Sequence, residues 1–260
     1  MNTTATLAHC EVDALSRVTI VLSGTSHPGN IGSAARAMKT MGLTRLVLVT
    51  PKIFPSPEAF ALASGAGDVL DNARVVASLD EALADSTYSL AVSARARDLG
   101  PTPRLARAGA LELLARARQG ARVALLFGNE TSGLSNEEVQ RCQGAVTIAA
   151  NPDYSSLNLA AAVQVLAYEL RVAALNTPEM AATPIRSVVT PFSSPPASHA
   201  EQEGFYQHLE RVMLASGFLD PARPRRLMPK LRRLFARAGL EKDEVNILRG
   251  ILAAVQKTED

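Results

Sequence analysis

Short runs of apolar residues alternate with longer segments of helical periodicity along the first 175 residues of the chain. Residues 46–49 and 123–127 are continuously apolar, and residues 18–22 are apolar except for Thr19, a pattern typical of strands buried on both faces of a sheet. Shorter apolar runs predict further strands at 75–76, 90–92 and 146–148. Helical spacing of apolar residues predicts helices at 30–41, 59–66, 79–84, 104–119, 136–143 and 157–175. This alternation predicts an α/β fold, with a parallel sheet covered by helices on both faces.

Proline and small polar residues interrupt this pattern between residues 177 and 200, where five prolines fall among serine, threonine and alanine. Such a composition predicts a partly extended linker. Three further helical segments follow at 201–215, 229–238 and 243–256. We therefore expect an α/β domain at 17–176, a linker at 177–200 and a small all-helical extension at 201–260.

The composition narrows the class of protein further. Apolar residues make up 47% of the 260 residues and charged residues 20%, which is the balance of an ordinary globular protein. The chain has no run of about 18 apolar residues and no signal-like start, so we expect no membrane span and a cytoplasmic location. Two cysteines and four histidines lack the spacing of metal ligands, so we expect no metal.

Positive charge is concentrated near the C-terminus, although the net charge of the chain is only +2. Seven basic residues and no acidic ones lie between residues 222 and 239. Lys230, Arg233 and Arg237 share one face of the helix predicted there, because spacings of three and four superpose on a helix, and Arg226 precedes it. The stripe is either a solvated helix face or a surface that binds RNA phosphates.

Three polar loops, at residues 23–32, 127–134 and 148–159, each follow a predicted strand. Ligands of open α/β sheets bind at the carboxyl ends of strands, so these loops are candidates for a binding site. Each also has a purely structural interpretation. The first could be a plain turn, Glu130 a helix cap or ion-pair partner, and Ser155 or Ser156 a helix N-cap. Arg36, among small apolar residues, could simply extend its side chain to solvent.

Taken together, the three loops resemble the three signature motifs of the SpoU branch of the SPOUT methyltransferases. The matching segments are GNIGSAARAMKTMGL, LLFGNETSGLSNEE and IAANPDYSSLNLAAAVQVLAYE, and the resemblance covers residues 18–175. The tail segments KLRRLF and EVNILRGIL resemble the C-terminal extension of bacterial tRNA 2′-O-methyltransferases of this branch. The resemblance leads us to expect basic residues at positions 129 and 131. This chain departs from it there, with Asn129 and Thr131.

The resemblance implies a fold, a cofactor and partners. The last part of the α/β domain would thread into a deep trefoil knot, which is rare in proteins. The implied cofactor is S-adenosylmethionine, and the implied partners are tRNA and a second copy of the chain. A symmetric dimer would also cover the apolar face at residues 159–170. The residues expected to line the cofactor pocket are Val92, Ser93, Ala94, Gly128, Ile148, Ser155, Ser156 and Leu157.

The implied reaction is 2′-O-methylation of ribose in tRNA, at cytidine or uridine 32 of the anticodon loop. The implied catalytic set is Arg36, Asn30, Glu130, Ser156 and Asn158, and RNA is expected on Arg226, Lys230, Arg233 and Arg237. A guanidinium almost never loses its proton, so Arg36 is expected to hold a phosphate and orient the hydroxyl. Two alternatives remain open: methylation of rRNA, or an RNA-binding module without catalysis.

Overall fold

The computed structural model describes residues 14–95, 100–175 and 194–256. Its strands are β1 (Val18–Ser23), β2 (Arg45–Val49), β3 (Arg74–Val76), β4 (Tyr88–Val92), β5 (Pro103–Leu105), β6 (Val123–Phe127) and β7 (Gly144–Thr147). They form one sheet in the order β3-β2-β1-β6-β4-β7-β5, and each neighbouring pair is parallel. Strand β1, in the interior of the sheet, is buried along its whole length. The parallel α/β sheet predicted from the sequence is therefore confirmed.

Helices connect these strands and continue into the C-terminal part. They are α1 (Pro28–Thr40), α2 (Pro57–Ala63), α3 (Gly67–Asp71), α4 (Leu79–Leu83), α5 (Ala106–Arg118), α6 (Asn136–Gln140), α7 (Leu159–Leu175), α8 (His199–Ala215), α9 (Leu227–Ala238) and α10 (Lys242–Gln256). Apolar side chains fill both faces of the sheet. One cluster includes Ile20 and Leu166, and the other includes Val21 and Leu126. This double burial explains why the strands are so uniformly apolar.

Two short elements differ from the sequence-based expectation. The apolar pattern predicts one helix over residues 104–119, but residues 103–105 form the edge strand β5, which pairs with β7. The helix α3 is also absent from the prediction. Both elements are too short to show a hydrophobic period of their own, so tertiary pairing and packing decide them. The knot implied by the resemblance stays a prediction, since strand order and pairing do not describe threading.

The apolar face of α7 is buried inside the chain. We expected a dimer partner to cover residues 159–170, but Leu159, Val163, Leu166 and Leu170 are buried where α7 packs against α1 and α5. This face therefore gives no argument for a dimer.

The C-terminal helices form a small core of their own, which includes Phe205, Tyr206 and Val245. The ring of Phe235 meets that of Phe205 edge-on at 5.0 Å. Helix α8 begins at His199, after a capping box made by Ser198 and Glu201. The helix thus begins two residues before the expected start at 201. Most of the expected linker, up to residue 193, lies outside the described residues.

Candidate active site

The three loops singled out in the sequence meet at one edge of the sheet. They leave β1, β6 and β7, and the end of β4 lies between the last two of these strands. Because all four strands are parallel, their carboxyl ends point the same way and their loops converge. The topology thus brings together segments that are more than 100 residues apart, as expected from the sequence.

Glu130 joins the first loop to the second. Its carboxylate accepts hydrogen bonds from the backbone N–H groups of Ser26, at 2.9 Å, and His27, at 3.2 Å. The side-chain amide of Asn30 donates a third, at 2.9 Å. These donors lie at the start of α1, where unpaired N–H groups and the helix dipole favour an anion. Burial opposes ionisation of Glu130, but the hydrogen bonds from Ser26 and Asn30 outweigh it and lower its pKa.

Asn158 extends this chain of contacts to the third loop. Its amide nitrogen donates to the side-chain oxygen of Asn30 at 3.0 Å. Its own oxygen accepts the backbone N–H of Ala160 at 2.9 Å, and so caps the start of α7. Asn158, rather than Ser155 or Ser156, therefore takes the cap position, and those two serines remain available for another role. A continuous path of hydrogen bonds, Glu130–Asn30–Asn158, links the three loops.

Asn129 holds the second loop in place. Its amide nitrogen donates to the carbonyl of Gly24 at 2.6 Å and to the hydroxyl of Ser26 at 2.8 Å, and its oxygen accepts the N–H of Thr131 at 2.8 Å. A basic side chain has no acceptor, so it could not make the last of these bonds. The departure at Asn129 thus has a structural role in this chain.

The second loop also folds back tightly on itself. A Cβ built on Gly128 would lie 2.3 Å from the carbonyl carbon of Gly133, so a larger residue would force the loop open. The backbone N–H of Gly133 donates to the carbonyl of Asn129 at 2.8 Å.

A cavity of about 290 Å³ opens beside this network. Its wall contains all eight residues expected to bind a cofactor, which are Val92, Ser93, Ala94, Gly128, Ile148, Ser155, Ser156 and Leu157. Glu130, from the expected catalytic set, also lines it. The volume is close to the lower end of the roughly 300–1,000 Å³ typical of ligand pockets. The loop segment 131–134 also lines this cavity but was not among the residues expected to bind a cofactor. It belongs to the second matching motif, so the motif match could have predicted it.

Three members of the expected catalytic set, Arg36, Asn30 and Asn158, lie outside the cavity wall. The Arg36 side chain is exposed on α1 and has no hydrogen-bond or ion-pair partner among the described residues. It is therefore available for an external ligand. The structure brings Asn30, Glu130, Ser156 and Asn158 to the loop cluster and leaves Arg36 on the adjoining surface of the same helix as Asn30.

The basic stripe of the tail is exposed as expected. Arg226, Lys230, Arg233 and Arg237 all face solvent on or just before α9. Arg232, in the same window, is different, because it forms an ion pair with Glu203 and stacks 4.3 Å from the ring centre of Tyr206. Of the apolar residues on this helix, Phe235 packs in the tail core, whereas Leu234 is 49% exposed.

A cluster of charged residues joins the tail to the α/β domain. Asp80 and Glu203 both pair with Arg141, and His199 lies 3.0 Å from Asp80. Burial opposes ionisation of Asp80, but its bonds to His199 and Arg141 lower its pKa. Asp80, His199 and Glu203 lie close enough to hold a metal ion. However, Arg141 and Arg232 already neutralise the carboxylates of Asp80 and Glu203. Ion pairing between the α/β domain and the tail therefore explains the cluster.

None of the helices within residues 14–95, 100–175 and 194–256 has both the length and the hydropathy required to cross a bilayer.

Comparisons with known proteins agree with this architecture. The model of the SpoU rRNA methylase family matches residues 17–168, and that of the C-terminal domain of tRNA methyltransferase TrmJ matches residues 200–260. A tRNA (cytidine/uridine-2′-O-)-methyltransferase TrmJ of Klebsiella pneumoniae is 51% identical over 94% of this chain and 98% of its own length. A tRNA (cytidine/uridine/adenosine-2′-O-)-methyltransferase TrmJ of Pseudomonas aeruginosa is 50% identical over 94% and 95%. The crystal structure of TrmJ from Z. mobilis has a TM-score of 0.78 at 33% identity, over 92% of this chain and 98% of that one.

Proposed function

This chain belongs to the SpoU methylase family, and on that premise we propose that it transfers the methyl group of S-adenosylmethionine to a ribose 2′-hydroxyl of tRNA. The proposed target is nucleotide 32 of the anticodon loop, as cytidine or uridine. The observation that carries the proposal is the convergence of the three motif loops on one cavity, whose wall contains all eight expected cofactor residues.

The cavity has the chemistry that S-adenosylmethionine requires. Val92, Ile148 and Leu157 offer apolar surface to an adenine ring, and the serines at 155 and 156 offer hydroxyls. The charged residues of the described wall are Arg95 and Glu130, so both charges of an amino-acid zwitterion find a complementary partner. When bound, S-adenosylmethionine supplies an electrophilic methyl group on a sulfonium.

The residues around the cavity have distinct proposed roles. Asn30 and Asn158 position the acceptor side of the site, because the bonds to Glu130 and to the start of α7 restrict their rotamers. Arg36 binds a backbone phosphate and orients the 2′-hydroxyl, and a phosphate oxygen or solvent accepts the proton. Holding the hydroxyl in line with the methyl group can supply much of the acceleration. No step in this scheme needs a metal.

The basic stripe on α9 contributes affinity for tRNA. Its exposed side chains can neutralise phosphates, and the resulting affinity falls with salt. We further propose that the protein acts as a homodimer with the substrate shared between subunits, and that it works in the cytoplasm, where tRNA is matured.

The direct test is transfer to defined RNAs. We would incubate the purified protein with labelled S-adenosylmethionine and unmodified tRNA, then map 2′-O-methylation by nucleotide. Methylation at nucleotide 32 supports the proposal, whereas binding of S-adenosylhomocysteine without transfer to any tRNA contradicts it. Mapping tRNA from a strain that lacks the gene would check the same position in cells.

The description of the family model names rRNA, so rRNA is the second candidate substrate. The tail favours tRNA, because residues 200–260 match a domain of a tRNA methyltransferase. Parallel transfer assays on tRNA and on rRNA fragments separate the two. A non-catalytic RNA-binding module is the third candidate, and the cavity lined by the expected cofactor residues argues against it. A thermal shift with S-adenosylhomocysteine tests for this possibility.

A further inference from the structure

A second and larger cavity, of about 780 Å³, lies between the α/β domain and helix α9. We call it the amino-end cleft, because its walls include Thr87 and Gln143, which immediately precede β4 and β7, and Pro103, which begins β5. The cofactor cavity lies at the other ends of these strands. Tyr88 and Val92, at the two ends of β4, are separated by about 13 Å, at ~3.3 Å per residue.

Arginine dominates the charge of the amino-end cleft. Its described walls carry five arginines and two glutamates. One of the arginines, Arg232, is already paired with Glu203 outside the walls, which leaves a surplus of two positive charges. Arg104 and Arg116 come from the α/β domain, and Arg233 and Arg237 come from α9. A cleft with a surplus of one sign of charge and protein walls on both sides concentrates the electrostatic field and attracts counter-ions.

Arg116 is held in place but incompletely satisfied. Its guanidinium stacks 3.9 Å from the ring centre of Tyr88 and lies 3.4 Å from the carboxylate of Glu112. Glu112 also pairs with Arg104 at 2.9 Å, so one carboxylate serves two guanidinium groups. The Nε of Arg116 is buried and has no hydrogen-bond partner among the described residues. A buried N–H without an acceptor is costly. The Arg116 side chain as a whole is 32% exposed, so its guanidinium keeps accessible charge for a phosphate.

We propose that the amino-end cleft binds phosphates of the tRNA backbone at nucleotides away from the methylated ribose. This inference rests on the proposed function for the identity of the RNA. The cleft shares Arg233 and Arg237 with the exposed stripe on α9, which continues through Lys230 to Arg226. One RNA segment can therefore contact the stripe and enter the cleft, where arginines of both parts of the chain meet it.

The position of the cleft predicts how it affects the reaction. We expect the cleft to hold tRNA equally strongly in the ground state and in the transition state, which is uniform binding. Loss of such contacts raises KM and leaves kcat unchanged. Loss of an arginine that contacts phosphate also lowers the salt dependence of binding, by about one unit of slope for each contact.

The test uses the full-length protein and tRNA binding measured across a salt series. We expect Arg116→Gln and Arg237→Gln each to lower the slope by about one unit, and the double variant by about two. Arg116→Lys should restore most of the slope, since it keeps the charge. If Arg116 acted only through its planar stack on Tyr88, Arg116→Lys would lose as much slope as Arg116→Gln. Arg74→Gln on β3, at the opposite edge of the sheet, and Arg211→Gln on α8 are matched controls that keep the wild-type slope.

Steady-state methylation of tRNA completes the test. A KM raised about three- to tenfold at constant kcat supports the cleft. If Arg116→Gln keeps the wild-type slope and KM while the wild type methylates tRNA, the cleft proposal is overturned and the proposed function stands. If the wild type transfers no methyl group to tRNA, the proposed function is overturned. If the wild type does not bind tRNA at all, the proposal for the cleft is overturned as well.

Discussion

The carboxylate of Glu130 offers the sharpest test of how the site is assembled, because it holds two of the three loops together. Glu130→Gln keeps the size of the side chain but leaves one carbonyl oxygen to serve three N–H donors, from Ser26, His27 and Asn30. At least one bond is lost, and the new NH₂ group faces a donor. A hydrogen bond to a charged group contributes about 1.5–3 kcal/mol. Because Glu130 is half-exposed and solvent screens it, we expect a loss of about 1–2 kcal/mol.

The effect must depend on pH in a defined direction. The pKa of Glu130 is lowered by folding, so its carboxylate stabilises the native state above its ordinary value of 4.5. That contribution is lost as the pH falls through the lowered pKa. Wild type and Glu130→Gln should therefore differ in free energy of unfolding at neutral pH and converge in acid.

Denaturant unfolding between about pH 7 and about pH 3 measures this difference. Glu137→Gln, on the exposed side of α6, is the control and should change stability little at any pH. Glu130→Gln should also reduce turnover, because Asn30 loses its partner. A variant as stable as wild type at neutral pH, or a difference that does not change with pH, would refute the assignment.

Four further predictions follow from the site and the tail. Arg36→Ala should bind S-adenosylhomocysteine with nearly wild-type affinity but lose most turnover, and Arg36→Lys should also be poor; a wild-type rate would contradict its role. Asn158→Ala should cost about 1 kcal/mol as a lost cap and lower kcat, measured by unfolding and by transfer assay. Neutralising Lys230, Arg233 and Arg237 together should lower the salt slope of tRNA binding by about two to three units; an unchanged slope places the RNA elsewhere. Glu203→Ala leaves Arg232 without its buried partner and should cost about 3 kcal/mol, whereas Glu210→Ala, exposed on the same helix, should cost little.

Local pattern determined much of this protein. Continuous apolar runs specified strands buried on both faces, and the alternation with helices specified a parallel sheet. Since parallel strands end at one edge, their direction placed the three loops at the same edge, and the strand order β1-β6-β4-β7 made them neighbours. The motif match then predicted eight residues that line one cavity. These inferences depend on hydrophobic period, strand direction or a contiguous motif, all of which are local features of the sequence.

Tertiary structure alone decided the remainder. Arg232 and Arg233 are adjacent in the sequence and carry the same charge. Packing against Tyr206 and Glu203 leaves Arg232 half-buried, whereas Arg233 is exposed. The three bonds of Glu130 and the bond from Asn158 to Asn30 likewise join atoms from different loops. The amino-end cleft exists only where the tail meets the sheet. Such contacts depend on the orientation of side chains across long sequence separations, and hydrophobic periodicity carries no information about those orientations.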